Sequence, residues 1–339
     1  MSSSLDKSLA PLIKALKNKK KATFFLGAGI STSCGIPDFR SPKTGLYANL
    51  KRLNLPYPEA VFDIDYFRDE PKAFYTLCDE LYPGKFFPSK FHFLLKIFQD
   101  NGLLMRIYTQ NIDTMESIVG VHEENIVAAH GLFASNHCID CAEPMETETL
   151  IALMNDKSKN SGIPKCSRCN GYVKPDIVFF GEALPIRFFD TWDEDCDNVE
   201  VAIVAGTSLT VYPFAGLPSE CRKSSLRVLI NNEVVGDFKD KKRKTDMILQ
   251  QDCDTVADAL ARGLGWEQQL SELIASEKKK FDEKSKSLLK EHSTLVSEPT
   301  NVTTSGNESP DTGDATYATK EMKRLSKELE NELGKLSLS

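Results

Sequence analysis

Ala22 to Leu26, Leu103 to Tyr108, Ile177 to Phe180, Val199 to Ala205 and Leu226 to Ile230 are short, largely apolar runs with no regular alternation. A strand with one wet face alternates polar and apolar residues. An unbroken run marks a strand covered on both faces, as in a parallel sheet with helices on each side. Each run halts at small or polar residues, in turn Gly27, Thr109-Gln110-Asn111, Gly181, Gly206 and Asn231-Asn232. In open sheets of this kind, ligands bind beyond the carboxyl ends of the strands.

Around these runs the chain changes character several times. Leu5, Leu9, Ile13 and Leu16 recur at helical spacing and predict a short helix in the first twenty residues. Pro56 to Asp100 is aromatic and helical, with Phe91, Leu94, Leu95 and Phe98 on one face. From Asn136 to Gly171 the composition shifts to Cys, Lys, Ser and Gly, which reads as a small inserted module. A charged helical stretch follows Trp266 to about Glu291. Of the 27 residues from Ser293 to Thr319, 17 are Ser, Thr, Gly, Pro or Asn, too polar to bury a core, and a linker is expected there. A last helix is expected over Lys320 to Leu336.

Cys138-x-x-Cys141 and Cys166-x-x-Cys169 are separated by 24 residues. Four thiolates fill the tetrahedral shell of one zinc ion and leave no place for water, so such a metal is structural. The spacer has room for a helix, expected near Glu148 to Asn155. The alternative is four buried or reactive cysteines without metal, and His137 could take the place of a thiol.

Gly27-Ala28-Gly29-Ile30-Ser31 directly follows the first run, where glycines let the backbone approach a diphosphate. The G-x-G-x-x-G fingerprint is incomplete, because Thr32 stands where its third glycine belongs, and an ordinary nicotinamide dehydrogenase is disfavoured. A tight turn without ligand reads equally well from this motif alone. His130, in Ala128-Ala129-His130-Gly131, is one of five histidines. A lone histidine before glycine is more often structural than catalytic, but Gln110-Asn111-Ile112-Asp113 ends another buried strand and could converge on the same crevice. An imidazole titrating near neutrality suits proton removal from a sugar hydroxyl. Gly206-Thr207-Ser208 offers a nest of N–H groups, and Asn231-Asn232-Glu233 could hydrogen-bond a ribose.

These segments, with Gly35-Ile36-Pro37-Asp38-Phe39-Arg40-Ser41-Pro42 and Val178-Phe179-Phe180-Gly181-Glu182, occur in the order that sirtuins show, and the resemblance covers about Ala22 to Trp266. Leu55 to Phe62 and Tyr82-Pro83-Gly84 resemble the fungal, mainly cytoplasmic branch related to the yeast homologue of Sir2. The resemblance implies an α/β fold: a Rossmann-like doubly wound parallel sheet with a smaller domain made of a helical module and a structural zinc ribbon. The large domain would comprise 22–50, 101–135 and 176–267, and the small one 51–100 and 136–175, flanked by 1–21 and 268–339.

It also implies an NAD-dependent protein-lysine deacetylase, with NAD as co-substrate and one structural Zn held by Cys138, Cys141, Cys166 and Cys169. Ala28, Gly29, Ser31, Arg40, Thr207 and Ser208 would hold the phosphates and nearby ribose, Asp38, Gln110, Ile112 and Gly206 completing that set. Asn231 and Glu233 would hold the adenosine ribose, with Cys253 near the adenine. Asn111 and Asp113 would shape the nicotinamide-ribose pocket, and Phe39 would cover the reacting carbon. Val178 and Phe180 would line an acyl-lysine tunnel, with Gly181 and Glu182 pairing to the peptide backbone. His130 and Asn111 would be the catalytic pair. Around Cys253, helix capping by Asp252 is an equally good reading.

A net charge of −7 argues against a direct nucleic-acid partner and presents no general barrier to lysine-rich substrates such as histone tails. Nine cysteines, an odd number, and no secretory leader pattern predict a reducing, cytoplasmic setting without membrane attachment. Leu329, Leu333, Leu336 and Leu338 resemble a nuclear export signal, which suggests nuclear shuttling; an amphipathic helix that regulates the site, or an unattached one, fits them too. Homo-oligomerisation stays open. Two competing readings, a zinc-ribbon scaffold without catalysis and a nucleic-acid reader, predict damage at His130 or Asn111 and basic residues around the cysteines; the chain shows neither.

Overall fold

The computed structural model describes residues 4–295 apart from 39–44, 47–49, 82–85, 157 and 159. The chain divides into two units, Met1–Ser285 and Lys286–Ser339, and the described part of the second is helical. The linker expected from Ser293 is helical over its first three residues, to Leu295, and its remainder and the last expected helix lie outside the described residues, as do Phe39 and Arg40.

Six parallel strands form the central sheet: β1 (Ala22–Leu26), β2 (Leu104–Thr109), β3 (Ile126–Ala128), β6 (Val201–Ala205), β7 (Leu226–Ile230) and β8 (Met247–Leu249). Their order is β3-β2-β1-β6-β7-β8, and every neighbouring pair runs parallel. Taken as six parallel strands this is the 3-2-1-4-5-6 order of doubly wound dinucleotide folds, with its switch point between β1 and β6. Both of those strands are buried along their whole length, because helices cover both faces. On one face Phe24 and Leu26 pack with helices α1 (Ser4–Lys17), α2 (Lys90–Asp100) and α3 (Cys253–Leu264). On the other, Phe25 and Val204 pack with Phe188 and Trp192 of the helix Ile186–Asp195 and with Phe214. Burying one such aromatic side chain contributes about 1.5–3 kcal/mol.

The run Ile177 to Phe180 does not join this sheet. It continues from β5 (Val173–Ile177), which pairs antiparallel with β4 (Gly131–Cys138) in a separate two-stranded sheet. Pro175 has no N–H to give a central strand, and Phe179 instead enters a second core with Phe62, Phe67 and Phe74. That core also holds Cys138, Cys166, Leu150 and Met154, so the cysteine module and the segment 50–81 share one interior. Helix α2 was expected with the small domain, but Phe91, Leu94 and Phe98 fill the core of the large sheet. Leu12, absent from the expected stripe of α1, is fully buried beside Leu9 and Leu16. The charged stretch after Trp266 is helix α4 (Glu267–Leu295).

Candidate active site

The loops that follow β1 and β6 meet at the switch point. The Gly27 N–H donates to the Ala205 carbonyl at 3.1 Å, and the Gly29 N–H donates to the Gly206 carbonyl at 2.8 Å. A methyl on Gly29 would stand 2.7 Å from the Gly206 Cα; one on Gly206, whose φ is 60°, would stand 2.5 Å from the Ile30 nitrogen. Only glycine fits at either position, and the close approach leaves a backbone cradle at the carboxyl ends of the strands.

Above the cradle opens a cavity of about 1120 Å³. Ala28, Gly29 and Asp38 line it from the first loop, and Gln110, Asn111 and Ile112 from the end of β2. His130 enters after β3, while Gly206, Thr207 and Ser208 enter after β6. Asn231 and Glu233 follow β7, Cys253 opens α3, and Val178, Phe180, Gly181 and Glu182 form the opposite wall. Ser31 and Asp113 stand behind the lining: the buried Ser31 hydroxyl donates to Asp113 at 2.6 Å, and the Met115 N–H donates to the same carboxylate at 3.0 Å. Tyr212 and Pro213 also line the cavity and lie beyond the motif Gly206-Thr207-Ser208 read from the sequence.

His130 Nδ1 lies 3.1 Å from the Gln110 carbonyl oxygen. A carbonyl only accepts, so Nδ1 carries the proton and Nε2 bears the lone pair. Gly131, at φ 70°, lets β4 start against the Asp176 carbonyl, where any side chain would collide. The His130 carbonyl in turn accepts the Val178 N–H at 2.8 Å, tying the histidine to the opposite wall. Gln110 Nε2 donates to Thr207 Oγ1 at 2.7 Å and joins the loops after β2 and β6.

Asn111 is buried, with its N–H donating to Thr109 Oγ1 at 3.1 Å and its Nδ2 reaching Ser31 Oγ at 3.4 Å. Its Oδ1 has no hydrogen-bond partner among the described residues. A buried acceptor left unpaired costs about 1–3 kcal/mol, and Asn111, which lines the cavity, bears that cost. With the glycine cradle and the cavity size, it fits a dinucleotide whose sugar hydroxyls reach the end of β2. At the far end Asn231 Nδ2 donates to the Glu233 carbonyl at 2.9 Å, closing the turn expected to face a ribose. Asp252 does cap α3, accepting the Thr255 N–H at 2.8 Å, while Cys253 beside it still reaches the cavity wall. Burial and the nearby Asp254 and Asp252 push the Cys253 thiol up to about 12, so it is a neutral contact surface and not a nucleophile.

The four cysteine sulfurs lie within 4.8 Å of one another. Cys138–Cys169 and Cys141–Cys169 are 3.4 Å apart and Cys141–Cys166 is 3.7 Å apart. Zinc–sulfur bonds of about 2.3 Å in a tetrahedron require sulfur separations of about 3.8 Å, and these three separations approach that value. Backbone N–H groups of Arg168 and Gly171 point at Cys166 and Cys169, as thiolates require. His137 takes no part, since its Nδ1 engages Asp176 at 2.6 Å. The helix Thr147–Asn155 occupies the spacer, as its length suggested.

The profile of the Sir2 family matches residues 27–213 of this chain. The NAD-dependent protein deacetylase HST2 of Candida albicans is 61% identical over 278 residues, covering 82% of this chain and 83% of its own length. The NAD-dependent protein deacetylase hst2 of Schizosaccharomyces pombe is 48% identical over 266 residues, 78% of each chain. The NAD-dependent protein deacetylase sirtuin-2 of Danio rerio is 44% identical, covering 78% of this chain and 73% of its own.

Proposed function

The chain belongs to the Sir2 family, in its fungal Hst2 branch, and from that premise we propose that it is an NAD-dependent protein-lysine deacetylase. The products would be free lysine, nicotinamide and O-acetyl-ADP-ribose, with one water consumed. The observation that carries this reading is one cavity bounded by the Gly29–Gly206 backbone cradle, by His130 with its Nδ1 on the Gln110 carbonyl, and by the wall of Val178 and Phe180.

Bound NAD supplies a ribose carbon from which nicotinamide departs. Gly29 and Gly206 let the backbone close on the diphosphate, with Ala28, Thr207, Ser208 and Asp38 beside it; Phe39 and Arg40, outside the described residues, keep the cofactor-binding roles that the sirtuin motif implies for them. Asn231, Glu233 and Cys253 face the adenosine end. Asn111, through its unpaired Oδ1, takes a ribose hydroxyl, and Gln110, Ile112 and Asp113 set the depth of that pocket with Ser31. Val178 and Phe180 hold the acyl-lysine in line, which removes the entropic cost of bringing a weak amide nucleophile to the carbon. His130 Nε2 takes the ribose hydroxyl proton, and the Gln110 carbonyl, bonded to Nδ1, supports the imidazolium that forms. Zinc on Cys138, Cys141, Cys166 and Cys169 holds the small module together and takes no chemical part.

An acetyl-lysine peptide incubated with and without NAD, and read by mass spectrometry, tests this. Deacetylation should require NAD, and His130→Ala should lower its rate by about 10²–10⁴-fold. A folded, zinc-loaded protein that binds NAD yet leaves the peptide unchanged would overturn the reading.

Acetylated lysine-rich segments, histone tails among them, suit the acidic net charge as substrates. Among the described residues no helix is long and apolar enough to cross a membrane. The leucine pattern ending at Leu338, outside the described residues, supports movement between cytoplasm and nucleus. Leu333→Ala with Leu336→Ala should shift a fluorescent fusion towards the nucleus, and an unchanged distribution removes the shuttling reading. Truncation after residue 295 with unchanged kinetics would likewise remove any autoregulation by this tail.

A further inference from the structure

Lys174 is a lysine on a strand of the small module, only 5% exposed, and the deacetylation chemistry does not call on it. Its ammonium donates to the Ile177 carbonyl at 2.7 Å and to the Pro175 carbonyl at 3.3 Å. It pairs with Glu182 Oε2 at 3.0 Å and stands 4.4 Å from the centre of the Phe179 ring. The same Glu182 oxygen accepts the Phe179 N–H at 2.7 Å, and the Glu182 N–H donates back to the Phe179 carbonyl at 3.0 Å. The segment 177–182 is thus wrapped around one buried cation.

The segment has two further anchors. Its Val178 N–H is held by the His130 carbonyl, while Phe180 exchanges backbone bonds with Phe62 and Ile64 at 2.7 and 3.1 Å. Between these anchors the chain reverses through Gly181 at φ 92°, and Phe180 is left 42% exposed at the cavity wall. A buried position that only filled space would take leucine or methionine without the desolvation cost of an ammonium. A cation is needed here because its acceptors are a carbonyl and a carboxylate of the loop itself, and apolar side chains cannot gather them.

We propose that Lys174 is a positioning residue for the acyl-lysine substrate: its ammonium, locked to Glu182 and the Ile177 carbonyl, fixes the loop 177–182 in the shape that presents Val178 and Phe180 to the acyl chain. This rests on the deacetylase reading, in which that loop receives the substrate. It also assigns Glu182 a role that its motif did not suggest, with its carboxylate turned inward to the loop.

The test is steady-state kinetics of the full chain with each substrate varied in turn, together with calorimetric binding of an acetyl-lysine peptide. Lys174→Met should raise the peptide KM and Kd at least tenfold and leave the NAD KM within twofold, and Lys174→Arg should restore most of the loss. Glu182→Gln keeps an acceptor for the Phe179 N–H but removes the charge, so it should move the peptide constants the same way by a smaller factor. If Lys174→Met fails to fold, by circular dichroism and zinc content, Glu182→Gln decides alone. Unchanged peptide binding, equal shifts for NAD and peptide, or no rescue by arginine overturns the proposal. Wild-type protein that binds the peptide but never deacetylates it sinks the deacetylase reading, while the binding series still decides Lys174.

Discussion

Glu116 and His92 are ionisable side chains that meet almost no solvent, 1% and 0% exposed, in segments flanking the crevice. The Ser89 N–H donates to His92 Nδ1 at 3.2 Å, which puts the ring proton on Nε2, and burial pushes the imidazole below its ordinary range. His92 therefore stays neutral. Glu116 is pushed the other way, to about 8, first by burial and then by the Asp113 charge. In the unfolded chain the same carboxyl ionises near its ordinary 4.5, so the native state holds an extra proton between those two values. Stability falls as pH rises through that window, and the full penalty stands above it. Glu116→Gln removes the titration. In calorimetric melts it should gain a few degrees over the wild type at about pH 9 and close to nothing at about pH 4. A pH-independent difference between the two proteins would refute this placement of the proton.

At the scale of elements, the outer strands depend on contacts that no local pattern carries. Arg227 of β7 and Asp246, just before β8, form a bidentate pair at 2.9 and 2.6 Å, with both side chains at most 1% exposed. Arg227 also donates to the Pro218 carbonyl and lies 4.7 Å over the Phe238 ring. Removing one partner leaves a buried charge uncompensated, so Arg227→Ala should cost about 3–5 kcal/mol in denaturant unfolding. A loss under about 1 kcal/mol would mean that the pair contributes little. The same contrast explains what could be read in advance. β1 and β6 are legible because five covered residues in succession leave a run that is apolar but for Thr23, and β7 because only Arg227 interrupts its own. β3 and β8 have three residues each, too few to show any period. Ile177 to Phe180 misleads because an apolar run records burial and not which core does the burying; Phe179 belongs to the small module. The lining of the cavity was legible where polar residues end a strand, as at Asn111, His130 and Thr207. Lys174 was not, since a lysine in a sequence reads as a solvated charge until its acceptors are seen.

For the whole molecule, the decisive arrangement is that two interiors, one under the parallel sheet and one around the cysteines, border a single cavity through loops of both. The floor of that cavity exists only once β1 and β6 lie side by side, because Gly29 and Gly206 come from opposite halves of the chain. A partly folded chain therefore offers the dinucleotide nothing to hold. Each bound molecule draws the protein away from its open forms, by about 2.7 kcal/mol when NAD stands at a hundred times its dissociation constant. Proteases act on those open forms, so digestion should slow in step with NAD concentration, and a rate indifferent to NAD would contradict it. The survival time of the protein then becomes a record of cellular nucleotide supply, kept by the fold whether or not any lysine is being deacetylated.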